Sequence, residues 1–281
     1  MIGFLKPAKF IAPLPANQVE SSYKRYRLQL FLTAYLGYMA YYFVRSTLAL
    51  AKPYLLKDGF TISQVGYLGS ALAVTYGLSK FIMGNISDRS NPRYFLALGL
   101  ILSAVVNLFA PNCVTFGMLF LIMLLNGWFQ GMGWAPCGRI MTHWFSDSER
   151  GTKMSIWNTA HNVGAGLLPF IVAIGVSLFG GWSGLFYLPA FAAIAVALLV
   201  LVSGRDVPQS VGLPPIEIYR NDYPLAEVEH DLTDREQEMT TKQILFDYVL
   251  CNKYVWLMEI ANVFEYCVRY GVLHWAPTYL S

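Results

Sequence analysis

Residues 27–50 read RLQLFLTAYLGYMAYYFVRSTLAL, an apolar and aromatic run with one arginine, Arg45, well inside it. An α-helix needs about 20 residues to cross the ~30 Å hydrocarbon core of a bilayer, and this run is long enough. Six more runs of similar character follow, at 62–85, 93–110, 114–137, 154–178, 182–203 and 254–279. None alternates polar and apolar residues as a barrel strand does, so all seven are expected to be helices. The whole chain agrees: 56% of its 281 residues are hydrophobic and 13% are charged, against about 25% charged in ordinary globular domains. The fold class expected is an all-α membrane protein embedded in a lipid bilayer.

Basic residues are distributed unevenly between the turns. Lys6, Lys9, Lys24, Arg25 and Arg27 precede or open the first run, Arg89 and Arg93 lie at the second turn, and Arg139, Arg150 and Lys153 at the fourth. The opposite turns carry only Lys52 and Lys57, with no lysine or arginine near Pro111 or Gly180. Short loops rich in lysine and arginine stay in the cytoplasm, so the N-terminus is expected inside. The polar leader and the long first run do not fit a cleavable signal. A net charge of +3 is too small to imply nucleic acid. Cys113, Cys137, Cys251 and Cys267 have neither paired nor metal-type spacing, and neither a metal nor a cofactor is expected. Residues 1–26 thus read as a cytoplasmic N-terminal segment and 27–203 as a six-helix transmembrane bundle. Residues 204–253, punctuated by Pro208, Pro214, Pro215 and Pro224, read as a cytoplasmic central loop. Residues 254–281 read as a seventh helix that opens an incomplete second bundle.

The first and seventh runs share a pattern. Tyr38, Tyr42 and Arg45 recur as Asn262, Tyr266 and Arg269 at i, i+4, i+7, a spacing that lines one helical face. An arginine deep in an apolar helix costs about 2.5–3.5 kcal/mol on insertion scales, so something must offset it. Two guanidiniums on one cavity suit a dianion, because each holds two oxygens in a planar fork and keeps its proton at physiological pH. A phosphate monoester fits that description. A sugar would need no such charge, and a metal cation would be repelled. His161, flanked by Asn158 and Asn162, gives the fifth run a polar face. It reads either as a packing hydrogen bond or as a substrate contact whose pKa follows the second ionisation of phosphate, both near about 6. Lys80, four residues after Tyr76, reads either as a snorkelling lysine or as added positive potential at the cavity mouth. Gly84, Asp88, Arg89 and Arg93 form G-x-x-x-D-R-x-x-x-R, expected as a tight turn that steadies an inner gate. Gly127 and Gly131 are one turn apart, which lets another helix approach closely. Pro136 should kink the end of that helix, and Trp134 is a candidate for the cavity border.

Several motifs together carry a resemblance that covers effectively the whole chain. GWFQGMGW at 127–134, SDRSNPR at 87–93, WNTAHN at 157–162 and NDYP at 221–224 resemble the organophosphate:inorganic phosphate antiporters of the major facilitator superfamily. The resemblance implies a rocker-switch exchanger that takes glycerol-3-phosphate in and lets inorganic phosphate out across a bacterial inner membrane, as a monomer. Its paired arginines map onto Arg45 and Arg269 and its histidine onto His161, with Lys80, Tyr38, Tyr42, Tyr76, Asn158 and Tyr266 as cavity residues.

Departures from the family pattern bear on function. Ser46 stands where lysine is common, Ala135 replaces a second proline, and Glu265, four residues before Arg269, is placed to pair with it. The family has twelve helices, whereas this chain ends at Ser281 after seven. Alternating access needs an opposing bundle, so the chain alone is expected to be a truncated, inactive product with its C-terminus outside. Competing readings are a hexose-phosphate:phosphate antiporter and a membrane sugar-phosphate sensor. An enzyme is least supported, since no nucleophile, metal cluster or nucleotide loop is visible.

Overall fold

The computed structural model describes residues 3–113, 115–221 and 241–280. The backbone divides into two units, Met1–Asp222 and Tyr223–Ser281. Every long element is an α-helix, and no strand occurs among the described residues.

In the first unit the first apolar run is two helices, α1 (Ala16–Arg45) and α2 (Thr47–Lys57), with Ser46 between them at φ −92 and ψ −4. Next comes α3 (Ile62–Asp88), whose start is fixed by a reciprocal cap. Thr61 Oγ1 accepts from the Gln64 amide at 3.2 Å, and Gln64 Oε1 accepts from the Thr61 amide at 2.9 Å. Asn91 caps α4 (Pro92–Phe109), with proline at the first helical position, where its missing N–H costs nothing. The fourth run comprises α5 (Phe116–Gln130) and α6 (Trp134–Trp144), the fifth α7 (Asp147–Asn158) and α8 (Ala160–Phe179), and the sixth is α9 (Gly184–Ser203).

Runs expected as single helices at 27–50, 114–137 and 154–178 are therefore each interrupted, at Ser46, at 131–133 and at Thr159. The fourth-run break precedes Pro136 because a proline lacks the N–H that would bond the carbonyl of Met132 one turn back, and its ring crowds that carbonyl. Among the described residues, four stretches are apolar and long enough to cross a bilayer: Pro92–Asn112, Phe116–Trp144, Asp147–Phe179 and Gly181–Ser203. The first and third helices match them in length but carry more polar side chains.

Packing follows the small residues. α1 lies against α4, α8 and α9, and α3 lies along α5. A side chain at Gly127 would collide with the Leu72 carbonyl and Thr75 Oγ1, and one at Gly131 with Ser79 and the Lys80 amide, so these glycines set the α3–α5 approach. Leu30, Tyr41, Leu68, Leu96, Leu100 and Phe186 fill the core.

The stretch read as a central loop begins with residues laid on the first unit: a 3₁₀ turn at Pro208–Val211 and α10 (Ile216–Arg220). Leu14 N donates to Gly212 O at 2.8 Å, and Tyr23 Oη donates to Pro214 O at 2.6 Å while its ring stacks on Tyr219. Residues 222–240, including most of the NDYP motif, lie outside the described residues, as does Val114. In the second unit a short helical piece, Thr241–Gln243, runs into a π-helical segment, Ile244–Leu250, and then α11 (Lys253–Tyr279) opens under an Asn252 cap.

Two outcomes are expected. Gly127→Leu should lower stability by about 1–3 kcal/mol through overpacking, read as a reduced Tm in detergent. Lys52, 2% exposed and just past the first apolar run, has its ammonium pushed down to about 8 by burial. The unfolded chain binds this proton up to about pH 10.5. Stability should therefore fall as pH drops from about 10.5 to about 8 and level off below, and Lys52→Met should remove that slope.

Candidate functional site

The stripe Tyr38, Tyr42, Arg45 occupies the last two turns of α1, so the arginine sits where the helix breaks. Its guanidinium carbon lies 3.8 Å from the centroid of the Tyr76 ring on α3 and 5.3 Å from that of Tyr42. Lys80, one turn after Tyr76, places Nζ 5.3 Å from the same Tyr76 ring. The electron-rich face of Tyr76 thus receives two cations. Tyr42 also meets His161 of α8, with ring centroids 5.5 Å apart. Tyr38, 7% exposed, stands 5.8 Å from Tyr42 and 4.8 Å from Trp157 of α7.

The structure therefore brings together Tyr38, Tyr42, Arg45, Tyr76, Lys80 and His161, contributed by α1, α3 and α8. Asn158 ends α7 one turn before His161 and is exposed. On α11 of the second unit, Asn262, Tyr266 and Arg269 repeat the stripe, with Tyr266 exposed, Arg269 half-buried and Glu265 exposed one turn before it.

Two kinds of residue escaped the sequence reading. Trp157 is buried, donates from Nε1 to Ala34 O at 3.2 Å and packs 6.3 Å from Trp134, making a wall beside Tyr38. Buried polar side chains Ser103, Asn107, Asn126 and Gln130 surround the break behind Arg45. Amides inside apolar runs were their only signal.

In the G-x-x-x-D-R-x-x-x-R segment Gly84 is inside α3, within the apolar run 62–85, with nothing near the position of a side chain there. The turn is Arg89–Asn91, pinned where the Asn91 amide donates to Leu5 O at 2.8 Å. Arg139 of α6 donates one nitrogen to the Asp88 carbonyl and another to Asp206 Oδ1 at 3.2 Å. Asp206 also accepts from the Ala8 amide at 2.8 Å, and its carbonyl accepts from Trp144 Nε1 at 2.6 Å. Desolvation pushes the Asp88 carboxyl above the usual range, while Arg139 and Arg89 pull it back in part. Arg93 donates to Leu201 O, joining α4 to α9.

This architecture, paired with a polar stripe on the first helix, agrees with a family model described as Major Facilitator Superfamily, which matches residues 34–281. The chain belongs to the major facilitator superfamily. Among relatives of this major facilitator chain, a glycerol-3-phosphate transporter of Bacillus subtilis (strain 168) is 52% identical over 287 residues, across the whole of this chain and 63% of that protein. A probable hexose phosphate transport protein of Chlamydia trachomatis is 42% identical over 268 residues, across 93% of this chain and 59% of that protein. The chain thus spans less than two thirds of these curated relatives. A bacterial homolog of the human lysosomal transporter Spinster, inward-facing and unoccupied, superposes with TM-score 0.64 at 18% identity, over 91% of this chain and 55% of its own. That likeness concerns the fold.

Arg139→Ala would leave the nearly inaccessible Asp206 carboxylate without its cation. A loss of about 3 kcal/mol is expected, measurable by thermal denaturation of the purified protein.

Proposed function

We propose that the chain serves a secondary transporter that exchanges external glycerol-3-phosphate for internal inorganic phosphate. The observation that carries the reading is the Arg45 guanidinium, held over Tyr76 beside Tyr42 and His161. A fixed guanidinium fork recognises phosphate oxygens in pairs, and the neighbouring imidazole can donate a ring N–H to a further oxygen. Arg269, on the repeated stripe of α11, supplies the second fork in this reading.

Exchange follows from charge. With no anion bound, closing two guanidiniums into a dry intermediate is costly, whereas a dianion neutralises them. The empty carrier therefore returns slowly. The helices of 27–203 form one of two bundles that rock about the central site, with 204–253 as the cytoplasmic connection and α11 as the start of the second bundle. Gly84, Asp88, Arg89 and Arg93 act in the inner gate, the N-terminus faces the cytoplasm of a bacterial inner membrane, and the protein works as a monomer. The family name of the C. trachomatis relative favours a second reading, hexose-phosphate exchange. Competition between glycerol-3-phosphate and glucose-6-phosphate separates the two.

The test uses phosphate-loaded proteoliposomes that hold this chain together with a polypeptide supplying the opposing bundle. External glycerol-3-phosphate should release internal phosphate, release into phosphate-free buffer should be slow, and Arg45→Ala should cut exchange about 100-fold, the scale of one charge-assisted pair at about 1.5–3 kcal/mol. Rapid net efflux without a counter-substrate would overturn exchange, and an unaltered rate in Arg45→Ala would overturn the site.

A further inference from the structure

The end of a helix leaves its last four carbonyls without amide partners from the same helix, and α1 ends at Arg45. Ser46 N donates to Tyr42 O at 3.1 Å, which provides for one of them. The carbonyl of Val44, adjacent to Arg45, is met by Asn126 of α5, whose Nδ2 donates to it at 3.0 Å. Thr47 Oγ1 lies 3.3 Å from the same oxygen.

Asn126 is itself held at its other end. Ser103 Oγ of α4 donates to Asn126 Oδ1 and accepts from Gln130 Nε2 at 2.8 Å. Gln130 Nε2 also reaches the Tyr41 carbonyl at 3.3 Å. The chain of donors is directional: Gln130 to Ser103, Ser103 to Asn126, Asn126 to the backbone of α1. Ser103, Asn126 and Gln130 are 0%, 1% and 3% exposed. A buried, satisfied network of this kind defines one geometry, since no water competes for its members.

We infer that Asn126 is a positioning residue for the substrate arginine: by holding the Val44 carbonyl at the helix break, it fixes the direction in which Arg45 leaves the backbone. Asn126 does not touch the candidate substrate group. It acts through the peptide that precedes Arg45, and so determines whether the guanidinium lies over Tyr76 with its fork turned to a phosphate. The inference rests on the proposed function, because it presumes that Arg45 binds phosphate.

The test measures Kd for inorganic phosphate by calorimetry on the full chain, purified and monodisperse in detergent, with Tm recorded alongside. Asn126→Leu, close in volume but with neither donor nor acceptor, should raise Kd about tenfold in folded protein. In an Arg45→Lys background, which keeps the charge and loses the fork, the same substitution should change Kd less than about twofold, because the two positions act on one interaction. A lowered Tm with the parental Kd would mean packing alone and overturn the proposal. Equal Kd changes in both backgrounds would overturn it as well. Should Asn126→Leu not fold, Ser103→Ala decides, since it removes the relay but leaves the Asn126 amide: about a threefold rise in Kd is expected, and an unchanged Kd overturns positioning. Arg45→Ala separates the layers. If it leaves phosphate binding intact, the substrate reading fails; if it abolishes binding while folded Asn126→Leu binds normally, only the positioning role fails.

Discussion

An arginine carried deep in an apolar helix is the constraint on which the rest of the bundle depends. Its cost in hydrocarbon is several kcal/mol, and aromatic faces help to offset it. Tyr76 and Tyr42 present electron-rich rings to the guanidinium, which stabilises the cation without neutralising it. The contact with Tyr76 sets α3 beside the end of α1.

The same constraint explains which helices are polar. The four stretches apolar enough to be read as spans are carried by α4, by α5 with α6, by α7 with α8, and by α9. Tyr38, Tyr42 and Arg45 are on α1, Tyr76 and Lys80 on α3, and Tyr266 and Arg269 on α11. Polar side chains such as these dilute the hydropathy of the helix that carries them. In an all-helical membrane protein the less hydrophobic helices are therefore the ones to search first for ligand chemistry. Among the candidate residues, Asn158 and His161 of the fifth run are exceptions, and they flank the interruption at Thr159.

Much of this was legible in the sequence. The seven apolar runs coincide with helices, the Thr61 and Asn91 caps are local signals, and the i, i+4, i+7 stripe correctly placed Tyr38, Tyr42 and Arg45 on one face. Tyr76 and His161 join that face only through packing of α3 and α8 on α1, which no spacing rule conveys. Pro136 announced the break at 131–133, whereas the break at Ser46 was invisible for a related reason. A window of apolar residues registers composition, whereas a helix interruption persists when side chains remote in sequence, such as Asn126 for Val44, satisfy the freed carbonyls. The proline-rich start of the central stretch looked like a free linker, because its partners, Leu14 and Tyr23, lie nearly 200 residues earlier.

Ser46 joins these strands of argument. Its amide closes the last bond of α1, to Tyr42 O, while its own φ −92 and ψ −4 turn the chain into α2. Serine keeps a small, uncharged residue where the chain changes direction. Rigidity at this turn comes from the buried amides behind Val44, Asn126 and Gln130, which hold the backbone of the last turn of α1 from α5. In the proposed reading, a single fork that is well aimed loses less entropy on meeting phosphate than a flexible cation would, so the accuracy of one helix break matters there as much as the number of positive charges around it.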